Sequence, residues 1–135
     1  MEKELSYIVQ GAFFEVYNKY GNGLKEKVYE RAVIEVLRNK GVGAMSQVRI
    51  DIYSLDTGKK LGTYVPDLIV SNKIIIEIKA TPFTRKDDLR QQRSYLQVSK
   101  YEIAYLVNFG TPKLEFYRSI FTNDRKPFIS KLSNS

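Results

Sequence analysis

The chain contains no cysteine and no histidine. The first absence excludes disulfides and thiolate zinc sites, and the second excludes imidazole-ligated metals. Serine and cysteine hydrolases that depend on a histidine base fall with them, as do histidine-dependent nucleases. Any metal must be held by oxygen, which favours Mg²⁺, Mn²⁺ or Ca²⁺. No hydrophobic run approaches membrane-spanning length, and the charged start MEKELSYIVQ lacks the apolar core of a signal peptide. The expectation is therefore a cytoplasmic protein that does not enter a membrane. Internal repeats and low-complexity segments are also missing.

What is present is an ordinary globular composition over 135 residues, 43% hydrophobic and 27% charged, enough for one domain with a real core. Lysine and arginine outnumber the acids to give a formal charge of +7, which favours polyanionic partners, nucleic acid before anionic membrane.

Leu5, Ile8, Val9, Ala12, Phe13, Val16, Tyr17 and Tyr20 recur at helical spacing, predicting an amphipathic helix over 3–20 that ends at Gly21-Asn22-Gly23. A second helix is predicted from about Leu24 to Lys40, with an inward stripe of Val28, Tyr29, Ala32, Val33, Val36 and Leu37. Strands are predicted over 47–54, 62–70 and 73–80, the last two joined by Ser71-Asn72-Lys73. Thr84 is placed as the cap of a helix running to about Ser99. Ile103 to Phe109 reads as a central strand buried on both faces, and Leu114 to Arg118 as a short edge strand. From Ser119 onward a polar tail is expected, with Phe121, Phe128 and Ile129 scattered along it. A right-handed crossover through the 84–99 helix sets the Ile103 strand parallel to its neighbour. The expected architecture is α/β, a mixed sheet of four to five strands flanked by helices, with a core over about 3–118.

The most informative stretch is Pro66-Asp67, nine residues, then Glu77-Ile78-Lys79. In a strand, Glu77 and Lys79 share a face with Ile75, while Ile74, Ile76 and Ile78 face the other way. A three-residue loop at 71–73 puts Asp67 across from Glu77 on that face. A two-residue loop puts it opposite Ile76 and breaks the site. Two carboxylates and an ammonium so gathered can hold Mg²⁺ and neutralise charge on a phosphate. Taken alone, an E-x-K in a strand is as readily a solvated face.

These elements, in this order, resemble the PD-(D/E)xK nuclease superfamily with its restriction-endonuclease-like fold, and more narrowly its GxxExxY branch. The branch motif stands as Gly23-Leu24-Lys25-Glu26-Lys27-Val28-Tyr29, with Gln91-x-x-x-Tyr95-Leu96 and Val107-Asn108-Phe109-Gly110 further on. The resemblance implies a metal-dependent nuclease acting on DNA or structured nucleic acid. Glu26, Asp67 and Glu77 would bind Mg²⁺ (or Mn²⁺), with the Ile78 carbonyl as a further ligand. Lys79 would orient or activate the water, and Gln91 and Tyr95, with Tyr29, would support the site.

The residues alone leave several points open. Glu26 falls roughly 60–70° from the centre of its helix's apolar stripe at ~100° per residue, on the border of the buried face. Glu30 lies further round and is expected at the surface. Tyr29 is most simply a core aromatic with a satisfied hydroxyl. Gln91 shares a helix face with Tyr95, yet Gln92 lies on the inward stripe, so either can be the one facing the site. Arg85, Lys86, Arg90 and Arg93, with Lys100 after them, are as readily a solvated surface as a set of phosphate contacts. Two other functions stay in play: a non-catalytic nucleic-acid-binding or regulatory subunit on the same fold, and a structural module such as a homodimer or a component binding a protein partner.

Overall fold

The computed structural model describes residues 1–132, so residues 133–135 of the expected tail lie outside the described residues. Two helices open the chain, α1 (Lys3–Tyr20) and α2 (Glu26–Asn39). The α1 stripe buries Val9, Ala12, Phe13 and Val16. Its stop is Gly21, at φ 70, a left-handed φ that glycine adopts without a side-chain clash. In α2 the inward residues are Tyr29, Ala32, Val33, Val36 and Leu37. Val28, expected among them, is 46% exposed.

Seven strands follow or flank the third helix: β1 (Ala44–Met45), β2 (Ile50–Tyr53), β3 (Lys60–Tyr64), β4 (Leu68–Val70), β5 (Ile74–Lys79), then α3 (Lys86–Gln97), β6 (Ile103–Asn108) and β7 (Glu115–Ile120). Five of the strands form one mixed sheet in the order β1-β4-β5-β6-β7. β5 and β6 run parallel through the α3 crossover, and the other pairs are antiparallel. β6 is buried at every position, as its unbroken apolar run requires.

The three consecutive antiparallel strands expected from the sequence are divided differently. β2 and β3 form a separate two-stranded sheet, and the expected 62–70 strand is broken between Tyr64 and Leu68. The buried Pro66 sits in the break, where its missing N–H cannot serve a ladder. β1, absent from the expectation, pairs with β4 and becomes the sheet edge instead.

The sheet separates two cores. On one face Ile74, Ile76 and Ile78 pack with Phe13, Val16, Tyr29, Val33 and Leu37 of α1 and α2. On the other, a smaller cluster joins Ile75, Ile69 and Ala104 to Leu96 of α3 and Ile50 of β2. The chain after β7 is not a loose polar tail. Phe128 is fully buried and stacks on Tyr53 at 5.3 Å, and the buried Lys126 donates to the Ser99 and Tyr101 carbonyls at 2.8 and 2.6 Å. A short helical turn (Asn123–Arg125) and α4 (Ile129–Leu132) complete this strap against the β2–β3 hairpin. No helix among the described residues is long and apolar enough to cross a membrane.

Candidate active site

Local periodicity places the first two candidates. Val70 pairs with Ile74 and Leu68 with Ile76, so the loop is the three residues 71–73, two of which, Ser71 and Asn72, adopt positive φ. One more step of that register sets Asp67 across from Glu77, on the face carrying Ile69 and Ile75. Asp67 Oδ2 accepts the Ile78 N–H at 2.7 Å, which ties its carboxylate to β5.

Glu77 is half-buried beside that carboxylate. Burial first, and then the Asp67 charge, push its pKa up to about 7, while the Tyr64 hydroxyl, the Asp67 N–H and the Lys79 ammonium pull in the other direction. The pair is an oxygen-rich, mutually repelling anion site with one cationic neighbour. Two carboxylates are a sufficient protein contribution for Mg²⁺, which keeps several of its waters. The residues present therefore fit a hard divalent cation.

Asn108, paired with Lys79 across the β5–β6 ladder, fixes the chain just beyond the lysine. Its Oδ1 accepts the N–H groups of Thr81 (3.1 Å) and Gly110 (2.9 Å), and its Nδ2 donates to the Thr81 and Thr84 hydroxyls. A Cβ at Gly110 would lie 2.4 Å from the Thr81 nitrogen, so only glycine fits where the two strands exit together. Thr84 does not cap α3. Arg85 holds the cap position, and the Thr84 hydroxyl donates to Glu115 at 2.9 Å instead.

Two residues of α2 depart from expectation. Glu26, the first residue of the helix, is exposed, whereas Glu30 is only 7% exposed and pairs with Lys27 at 3.4 Å. No group of three acidic side chains able to hold a metal forms among the described residues. The body of α2 packs on the Ile74/Ile76/Ile78 face, and alternation along β5 puts Glu77 and Lys79 on the opposite one. Tyr29 is a buried aromatic, stacked on Phe109 at 4.6 Å with its hydroxyl donating to the Gly21 carbonyl at 2.5 Å. Because the Phe109 N–H bonds to the Lys79 carbonyl, Tyr29 places the start of α2 at the same end of the sheet as the acids.

On α3, Gln92 is the inward glutamine at 4% exposure, yet its amide turns to the Tyr117 carbonyl at 3.4 Å, and its Oε1 is buried without a partner. Gln91 is exposed. Tyr95 does reach the site, indirectly: its ring stacks on Tyr64 at 3.7 Å and 3°. Tyr64 then donates its hydroxyl to Glu77 Oε1. Burial and the Glu77 and Asp67 charges drive the Tyr64 pKa far upward, so its proton stays in place. Tyr64 was not among the sequence candidates, although it stands only three residues before Asp67. Arg85, Lys86, Arg90 and Arg93 are all exposed, and Arg90 is paired with Asp87 at 3.2 Å.

A sequence profile of the PD-(D/E)XK nuclease superfamily matches residues 3–119, nearly the whole chain. The chain belongs to that superfamily. Among curated proteins no match was found. The crystal structure of SSO0001 is similar in fold, with a TM-score of 0.53 at 21% identity over 81% of this chain. The match spans 56% of that protein's length. The mixed sheet flanked by helices is a restriction-endonuclease-like fold. PD-(D/E)XK proteins are generally nucleases, and they typically use divalent metals.

Proposed function

We propose that the protein is a metal-dependent nuclease of the GxxExxY branch, hydrolysing phosphodiester bonds in DNA or structured nucleic acid. The observation that carries the reading is the Asp67–Glu77 pair with Lys79 on one face of the β4–β5 hairpin, two acids and a cation beside a core. Asp67 and Glu77 would hold Mg²⁺ or Mn²⁺. Glu26 and the Ile78 carbonyl are further candidate ligands, Glu26 from the start of α2 at the same end of the sheet. The bound ion would supply Lewis acidity and a more acidic water. Lys79 orients the attacking water and offsets charge accumulating on the phosphate oxygens. Asn108 holds the 80–84 backbone and so limits where Lys79 can swing. Arg85, Lys86, Arg90 and Arg93 offer exposed positive charge to the nucleic-acid backbone.

A second reading is a nucleic-acid-binding or regulatory subunit without catalysis, with the exposed Arg85, Lys86, Arg90 and Arg93 meeting the nucleic-acid backbone. Incubating the protein with linear, branched and single-stranded DNA and RNA in Mg²⁺ or Mn²⁺, beside Glu77→Ala, separates the two. The nuclease reading expects metal-dependent cleavage by the parent and none by the variant. Tight binding with no cleavage under any metal establishes the alternative.

A further inference from the structure

We propose that Tyr64 is a positioning residue for metal binding: its hydroxyl, immobilised by the stack on Tyr95, fixes the orientation in which Glu77 meets a divalent cation. The inference rests on the metal-dependent reading above and adds to it a residue from outside the central sheet.

Three elements meet at this point. β5 supplies Glu77, β3 supplies Tyr64, and α3 supplies Tyr95. A glutamate has three rotatable bonds, and one placed beside the negative Asp67 is driven to swing away from it. The carboxylate is held at Oε1 by the Tyr64 hydroxyl. Of the roughly four lone-pair positions on a carboxylate, about three then remain, among them those of the other oxygen, for a cation.

Asp67 is treated alike, with Oδ2 fixed by the Ile78 N–H. Each acid thus has one oxygen anchored by a donor, leaving its second oxygen for a cation. The anchor for Glu77 is itself confined on one side, because the Tyr95 ring lies parallel to the Tyr64 ring, 3° apart, at 3.7 Å. A tyrosine buried only for packing needs any acceptor. This one takes a carboxylate of the site, the kind of outer contact that orients metal ligands elsewhere.

Tyr64→Phe keeps the ring and removes the donor. The readout is Mn²⁺ titration calorimetry on the full chain, with melting temperature measured with and without Mn²⁺. Mn²⁺ binding to Tyr64→Phe is expected to weaken about 10–100-fold. The Mn²⁺-induced rise in Tm should shrink, while cleavage at saturating Mn²⁺ recovers most of the parent rate. A merely structural role would lower the Tm equally with and without metal and leave the affinity alone, which overturns the proposal. Tighter binding by Tyr64→Phe also overturns it, since the hydroxyl would then be competing with the metal for Glu77. If the parent takes up no Mn²⁺, the metal-dependent reading itself has failed, and Tyr64 has nothing to position. Should Tyr64→Phe not fold, Tyr95→Leu carries the test. It leaves the hydroxyl but frees the ring, and a smaller loss of affinity is expected.

Discussion

The two faces of the central sheet differ in what they can accommodate. The face under α1 and α2 is a continuous apolar layer, built from alternate isoleucines of β5 and an aromatic group around Phe13, which meets Tyr105, Phe109 and Phe116 edge-on or tilted. The face under α3 and the β2–β3 hairpin has a much smaller cluster, and beside it lie Asp67, Glu77, Lys79 and Tyr64, all half-buried. The first is stabilised chiefly by apolar burial, with the Tyr29 and Tyr105 hydroxyls hydrogen-bonded at its margin. The second retains polar groups whose charges are only partly compensated, and burial beside Asp67 pushes the Glu77 pKa up. The same six-residue strand serves both, because its side chains alternate.

The sharpest way to break this division is to alter the two faces separately. Glu77→Ala or Lys79→Ala should lower nucleic-acid cleavage at least about 100-fold, in a plasmid or oligonucleotide assay, while circular dichroism remains that of the parent. On the opposite face, Phe13→Ala should cost about 3–5 kcal/mol in urea unfolding, yet cleavage per folded molecule should hardly change. If Phe13→Ala abolished cleavage without loss of stability, the division would be wrong.

A pH experiment sharpens it further. The folded-state pKa of Glu77 lies above that of a free glutamate, so the folded protein binds the proton more tightly, and stability from this group falls as pH rises from about 4.5 to 7. The full shift is worth about 3 kcal/mol at alkaline pH. Glu77→Gln should therefore be more stable than the parent at pH 8 by up to that amount, with the difference vanishing near pH 4, read as denaturant midpoints. A mutant equally stable at both pH values would show that Glu77 is not held as described. The smallest effect is expected at the surface: each of Arg85, Arg90 and Arg93 replaced by alanine should reduce the salt dependence of nucleic-acid binding by about one unit in log–log slope. Arg90, already paired with Asp87, should change least.

Much of the scaffold was legible from particular residues. The α1 stripe (apart from its last member, the exposed Tyr20), the run Ile103 to Phe109 and the parallel crossover follow from periodicity and connection rules. The three-residue loop followed from requiring Asp67 and Glu77 to share a face. Glu30 and Val28 were misplaced because helix-wheel angles give a direction relative to a stripe and not the width of what covers it. Phe128 was read as scattered because a single aromatic in a polar segment has no period, and its partner Tyr53 is distant in sequence.

By itself the sequence determined what is local: which side chains of β5 face together, that any metal must be held by oxygen, and that an acid pair and a lysine lie within one turn of chain. Tertiary structure alone decided which other residues joined them. In one unbroken strand from 62 to 70, Tyr64 would face away from Asp67, being an odd number of residues before it. The break at Pro66 uncouples β3 from β4, so Tyr64 returns over Glu77 and meets Tyr95 of α3. Glu26, close to neither acid in sequence, is the first residue of a helix whose body packs on the opposite face and whose start lies at the same end of the sheet as the acids. Alternation is a property of the backbone, fixed residue by residue, whereas contacts across a chain break depend on how whole elements pack.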